Sequence, residues 1–333
     1  MQTRLSKNKL KIAFYWAASC GGCEIAVLDI NEKILDVVAL ADIVFWPVAL
    51  DVKYKDVEAM PDKYIDITFF NGSIRNSEQE HMAKLLRQKS NTLVAFGSCA
   101  HEGCVPGLAN LHDREEIFDK VYLKEPSVVN PQGVTPKTKT EVKEGSLDLP
   151  EFYDTVKTLA QTVDVDYYLP GCPPPVKLVA NAVDAIARND LPPKGSVLAP
   201  LKAVCDECPR KRENKKIGAI YRVHEKVPKP DLCLMEQGII CMGMATRSGC
   251  GAQCLQVDMP CTGCQGPAPN MPELGAAMVT ALASILGYEN KEGKEKYTEQ
   301  EIEDLMDQIK DPVGTFYMYS LPASIFRRKV IKK

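Results

Sequence analysis

Six cysteines within residues 233–264 limit this chain more than any other feature. Cys233, Cys241, Cys250, Cys254, Cys261 and Cys264 are separated by seven, eight, three, six and two residues. Such density marks a metal centre. With Cys205 and Cys208 in a CDEC step just upstream, the C-terminal part carries eight thiols, the number that two four-iron clusters take at four thiolates each. CxxC is also a zinc-knuckle spacing, so two zinc sites are the competing reading. Colour separates them, since zinc protein is colourless and cluster protein is brown.

A chain of 333 residues with 45% hydrophobic content has room for two domains and a substantial core. Its net charge of −3 carries no electrostatic footprint for nucleic acid or anionic lipid. No apolar run approaches the roughly 20 residues of a membrane-spanning helix. After the basic start MQTRLSKNKL only about IAFYWAA precedes Cys20, too short for a secretory leader. The expectation is a cytoplasmic protein, with neither nucleic acid nor membrane as a partner. In that reducing setting thirteen cysteines argue for metal ligation over a disulfide framework.

The first half alternates strands and helices. LKIAFYWAAS (10–19) reads as a buried strand, followed by CGGC and then EIAVLDINEKILDVVALAD (24–42). In that last stretch Ile25, Leu28, Leu35 and Val38 fall on one helical face. DIVFWPVA (42–49), IDITFF (65–70) and NTLVAFGS (91–98) read as further strands. Asn76 to Arg87 reads as a helix capped by Asn76 or Ser77. A polar, proline-bearing insertion over about 124–150 and a helix near 153–163 come next. VDYYLPG (165–171) then delivers Cys172, and Pro173, Pro174 and Pro175 open a helix to about Arg188.

Loops after the strands of a parallel sheet emerge along one edge, where ligands gather. Cys20, Cys23, Cys99 and Cys172 occupy three such loops, so four distant thiols can converge on one cluster. Gly21 and Gly22 suit close passage of the backbone past a bulky inorganic core.

Taken together, SCGGCEI, GSCAHEG, PGCPPP, CDECPRKR, CLMEQGIICMG, TRSGCGAQC and PCTGCQGP resemble the small, electron-transferring subunit of a nickel–iron hydrogenase. The resemblance spans roughly residues 9–285 and is strongest to the cytoplasmic F420-non-reducing, methyl-viologen-reducing type. It implies an oxidoreductase subunit with an α/β fold: a flavodoxin-like, doubly wound parallel sheet over residues 1–192. It further implies an irregular iron–sulfur domain over 193–271, leaving 272–333 as a helical C-terminal extension. The cofactors implied are three 4Fe-4S clusters. Cys20, Cys23, Cys99 and Cys172 would hold the proximal one; Cys250, Cys254, Cys261 and Cys264 the medial one; Cys205, Cys208, Cys233 and Cys241 the distal one. Where many relatives have a histidine this chain has Cys205, and where many have proline it has Cys254. Both departures point to low-potential, all-thiolate clusters. The partners implied are a nickel–iron large subunit, which carries the catalytic site, and an iron–sulfur acceptor subunit linked to heterodisulfide reductase. A quinone-coupling subunit of a complex I-like machine resembles this chain less well, since that class carries one cluster with adjacent cysteines. A zinc-stabilised interaction module is the non-enzymatic alternative.

Other residues invite readings of their own. Glu24, beside Cys23, suits proton exchange at the large-subunit interface, orientation of the cluster loop, or pairing with the helix dipole. Cys104, the thirteenth thiol, has no assigned cluster and reads as an unligated buried or partly exposed thiol. His101 and Glu102 read as a polar loop and His224 as surface. Arg210, Lys211, Arg212, Lys215 and Lys216 form a basic run that would dock an acidic partner or simply face solvent. The terminal Arg327, Arg328, Lys329, Lys332 and Lys333 read as a solvated tail. PELGAAMVTALASILG (272–287) and YTEQEIEDLMDQIK (297–310) are helix candidates.

Overall fold

The computed structural model describes residues 9–287 and 298–329; Lys332 and Lys333 lie outside them. Where the sequence suggested three segments, the chain packs as two compact units. One runs to Leu198 and is rejoined by the segment from Leu321 onward; the other is Ala199–Ser320.

The first unit is built on five parallel strands: β1 (Leu10–Trp16), β2 (Ala41–Phe45), β3 (Ile65–Asn71), β4 (Ser90–Phe96) and β5 (Tyr167–Leu169). Their order is β2-β1-β3-β4-β5, the doubly wound arrangement expected. Both sheet faces are buried, which is why these strands read as apolar runs without alternation. On one face Ala13, Tyr15, Phe70, Leu93 and Ala95 pack with Met82, Ala83 and Leu86 of helix Ser77–Lys89. On the other, Ile12, Phe14, Phe69 and Phe96 face Val27, Val37, Val179 and Ala182 across a small apolar cavity of about 40 Å³. Asn76 caps the Ser77–Lys89 helix by accepting from the Gln79 amide at 2.9 Å.

Three local expectations change. The stretch after CGGC is not one helix but two, α1 (Gly22–Leu28) and α2 (Ile34–Leu40), broken at Asn31, whose φ is 53°. Cys23 turns inward and sets the phase, so Cys23, Ala26, Val27 and Ile30 form the buried face at i, i+3, i+4, i+7. Ile25, Leu28, Leu35 and Val38 consequently face out, at 56%, 54%, 69% and 49% exposure. The helix expected near 153–163 is instead a strand, Phe152–Lys157, paired antiparallel with Ile74–Asn76, and then a short turn at Leu159–Gln161. Asn110 explains the strand: its side chain accepts from the Val156 amide at 2.7 Å and donates to the Val156 carbonyl at 3.0 Å, copying a neighbouring strand. The polar insertion contains an exposed hairpin, Lys139–Val142 with Gly145–Asp148.

The second unit is irregular in its cysteine-bearing part, with short turns at Val204–Asp206, Met235–Gln237 and Met242–Met244 and a four-residue helix at Gln253–Gln256. Among the described residues three helices complete it: α3 (Leu274–Ile285), α4 (Glu299–Asp307) and α5 (Pro312–Tyr317). Gly275 lets α3 approach α5 closely, since a Cβ there would strike the Tyr317 ring.

Candidate cluster sites

In the first unit, parallel topology brings the ends of β1, β4 and β5 to one sheet edge, and each delivers cysteine. The β1 loop is shaped around Cys20: Trp16 donates to the Ser19 carbonyl at 3.1 Å, and the Gly22 amide donates to Cys20 Sγ at 3.4 Å. Gly21 adopts φ 80° with the Trp16 ring against it, a place where any side chain is strained. Cys20 is exposed and Cys23 is buried in the first turn of α1. The β4 and β5 loops are tied together: Gly97 donates to Leu169, Ser98 donates to Gly171, both at 2.8 Å, and Gly171 donates to Ser98 Oγ at 3.2 Å. Cys99 and Cys172 are carried by these tied loops, and the Cys172–Pro173 bond is cis.

Burial first, then the nearby thiols of Cys172, Cys20 and Cys104, pushes the Cys23 thiol far above its ordinary range. A neutral thiol here must lose its proton to bind metal, so metal and proton compete. Gly97 leaves the space in which Cys23 Sγ sits, because a Cβ at Gly97 would overlap that sulfur. Cys104 belongs to the same group: fully buried, its Sγ donates to Cys172 Sγ at 3.6 Å. This fifth thiol is the residue whose place the sequence reading missed.

Glu24 is buried, with Oε2 accepting from Trp46 Nε1 at 2.9 Å and Oε1 without a partner among the described residues. Burial raises its pKa, and the Trp46 hydrogen bond opposes that in part. It is a buried carboxylate in the first turn of α1. The expected polar loop at His101 and Glu102 is corrected too: the pair is largely buried, 3.2 Å apart, with the His101 ring against Tyr168.

In the second unit, Cys205, Cys208, Cys233 and Cys241 line one cavity of about 300 Å³ with Met235, Met244 and Leu255. Burial lifts the Cys205 thiol to about 12, while Arg212 pulls the other way. Arg210, expected on a solvated or docking face, is a buried strut instead. Its guanidinium donates to the carbonyls of Leu255, Lys229 and Leu232 at 2.9–3.0 Å and pairs with Asp258. Arg212, Lys215 and Lys216 are exposed and rim the cavity.

Of the remaining four cysteines, Cys261 is buried, Cys250 and Cys264 are half-buried, and Cys254 is exposed. Cys261 adjoins the first set, its amide donating to Cys241 Sγ at 3.3 Å. Glu207, inside the CDEC step, accepts from the Gly249 amide at 3.1 Å and the Gly251 amide at 2.9 Å. It thereby fixes the loop bearing Cys250, a role that spacing alone does not reveal. His224 is exposed on the rim of a second cavity, of about 320 Å³, that reaches Cys261. All thirteen cysteines are among the described residues, and none is in a disulfide. Among those residues no helix is long and apolar enough to cross a membrane.

The chemistry of these residues fits iron–sulfur clusters: Cys205, Cys208, Cys233 and Cys241 line a cavity far larger than a single ion, and in the first unit Gly97 leaves room for the Cys23 sulfur that any side chain would displace.

Residues 20–186 match the family described as NADH ubiquinone oxidoreductase, 20 Kd subunit. The chain is 43% identical over 331 residues to the iron-sulfur subunit of the F420-non-reducing hydrogenase of Archaeoglobus profundus, covering 97% of this chain and 99% of that one. It is 36% identical to the corresponding F420-non-reducing hydrogenase subunit of Methanothermobacter thermautotrophicus, covering 98% and 99%. Among solved structures, an NAD+-reducing nickel–iron hydrogenase in the H2-reduced state aligns at 26% identity and a TM-score of 0.48, over 56% of this chain and 94% of that chain.

Proposed function

This chain belongs to the small subunits of the F420-non-reducing hydrogenases, within the nickel–iron hydrogenase small-subunit family, and from that premise we propose that it conducts electrons through three 4Fe-4S clusters in a cytoplasmic complex. Cys20, Cys23, Cys99 and Cys172 hold the proximal cluster; Cys250, Cys254, Cys261 and Cys264 the medial; Cys205, Cys208, Cys233 and Cys241 the distal. When bound, each cluster accepts and passes on one electron at a time. The partners are a catalytic large subunit, which splits hydrogen into two protons and two electrons, and a low-potential iron–sulfur acceptor such as the heterodisulfide reductase system.

The observation that carries this reading is the cavity of about 300 Å³ shared by Cys205, Cys208, Cys233 and Cys241. A zinc site draws four thiolates to about 2.3 Å from one ion, which leaves no such space. The chain's own contribution is to supply thiolates, to bury them, and to set the charge around them through groups such as Arg212. The family match ends at residue 186, before all eight downstream cysteines, and these favour a hydrogenase subunit over a single-cluster quinone-coupling one.

Anaerobically purified protein should contain about twelve irons per chain with matching sulfide, four per cluster, and give cluster signals by electron paramagnetic resonance. Colourless protein holding zinc would defeat the proposal. The complex, and not the isolated chain, should oxidise hydrogen.

A further inference from the structure

We infer that Cys104 is a positioning residue of the proximal site: its thiol donates a hydrogen bond to ligand sulfur and so raises the reduction potential of the cluster held there. The inference rests on the proposal that Cys20, Cys23, Cys99 and Cys172 ligate that cluster.

Three observations place Cys104 in this role. Its side chain is fully buried, and its Sγ lies 3.6 Å from Cys172 Sγ, far beyond the roughly 2.05 Å of a disulfide and within reach for S–H donation to sulfur. Its backbone has φ 49° and ψ −155°, a conformation that suits glycine and that persists in another residue only where the surroundings impose it. Those surroundings are visible. Gly103, with φ 90°, and Gly107 are so close to Pro322 that a Cβ at either would overlap the proline ring. The loop is therefore clamped on both sides of Cys104, and its thiol is held against the ligand group.

Four thiolates already complete a four-iron cluster, so Cys104 keeps its proton and remains outside the coordination shell. Donation from its S–H withdraws electron density from a ligand thiolate. The reduced cluster is one electron more negative than the oxidised one and gains more from that donation, so the potential rises. No bond to iron forms or breaks, and the proton stays on Cys104 throughout.

The test compares wild type, Cys104→Ser and Cys104→Ala in the purified complex, using iron and sulfide content and a redox titration followed by electron paramagnetic resonance. All three should hold equal iron. Cys104→Ala should lower the proximal midpoint alone, with a change of roughly tenfold in the reduction equilibrium, or about 59 mV for one electron. Cys104→Ser, whose hydroxyl still donates, should fall between. An unshifted midpoint in Cys104→Ala would overturn the inference and leave Cys104 as packing. Loss of iron from both variants would overturn it by making Cys104 a ligand. Wild-type complex without any proximal signal would defeat the ligand proposal itself, a result separable from either.

Discussion

Gly97 is the residue whose replacement probes the proximal site most directly. At φ 82° and ψ 164° it occupies a region that is essentially glycine-only, and holding alanine there costs about 1–3 kcal/mol. The new methyl would also overlap Cys23 Sγ, and overpacking of that kind costs a further 1–3 kcal/mol or so. The overlap is relieved either by moving the β4 and β5 loops or by turning Cys23. The loops are tied by backbone bonds of 2.8 Å from Gly97 to Leu169 and from Ser98 to Gly171. Driving a side chain off its rotamer costs only about 0.5–1.5 kcal/mol. Cys23 therefore yields first. With the rotamer cost of Cys23 in place of the overlap, the sum is about 1.5–4.5 kcal/mol, less than the roughly 5–15 kcal/mol stability of a domain, so Gly97→Ala should fold while displacing one of the four proposed ligands. Iron should fall by about a third, on the basis of four per cluster, and the paramagnetic signal of one cluster should vanish while the others remain. A variant with full iron and an unchanged spectrum would refute this account of the glycine.

Four other groups supply further tests. Arg210→Met removes the donor to three backbone carbonyls and the partner of the half-exposed Asp258; a loss of roughly 1–3 kcal/mol and of the distal iron is expected, whereas Arg212→Gln should keep the iron, as metal analysis and thermal unfolding will show. Cys254→Pro should convert a medial four-iron cluster into a three-iron one of higher potential, and an identical spectrum would remove Cys254 from the ligand set. Asp166 meets an upward push from burial, but Lys194 at 2.7 Å, Arg87 at 2.6 Å and the Leu93 amide at 2.8 Å outweigh it and hold its carboxyl below the usual range. Because the folded pKa is depressed, that stability is present above the unfolded value of about 3.9 and is lost as pH falls through the folded one. Asp166→Asn should thus be less stable than wild type by about 1–3 kcal/mol at pH 7, with the gap closing toward pH 3; a gap constant in denaturation curves across that range would contradict the pairing.

What was legible in the sequence, and what was not, follows from the range of the forces involved. The five strands were readable because a parallel sheet buried on both faces demands unbroken apolar runs, and the Asn76 cap because its partner Gln79 is three residues away. Phase after CGGC was not readable: Ile25, Leu28, Leu35 and Val38 make a regular stripe, but the inward turn of Cys23 decides which stripe is buried. The strand at Phe152–Lys157 depends on Asn110, and the clamp beside Cys104 on Pro322; both partners are too distant in sequence to be matched by spacing. Arg210 looked like one charge in a run, because only the folded chain shows which of the basic residues meets carbonyls instead of water. Cys205, Cys208, Cys233 and Cys241, which only the family resemblance had grouped, line one cavity. Neither the bridge from Glu207 to Gly249 and Gly251 nor the closeness of Cys104 to Cys172 had any such signal.

The described part of the tail expected to be solvated, as far as Lys329, is in fact fastened to the first unit. Asn110 donates to the Arg327 carbonyl at 2.8 Å, Lys329 pairs with Glu116 at 2.7 Å, Arg328 bonds to Thr155, and Pro322 sits between Gly103 and Gly107. The second unit is thus an insert in the first, with residues 199–320 coming between a sheet and its final clasp. Synthesis proceeds from the N-terminus, so the loop bearing Cys99 and Cys104 receives its closing proline only after every other cysteine has been made.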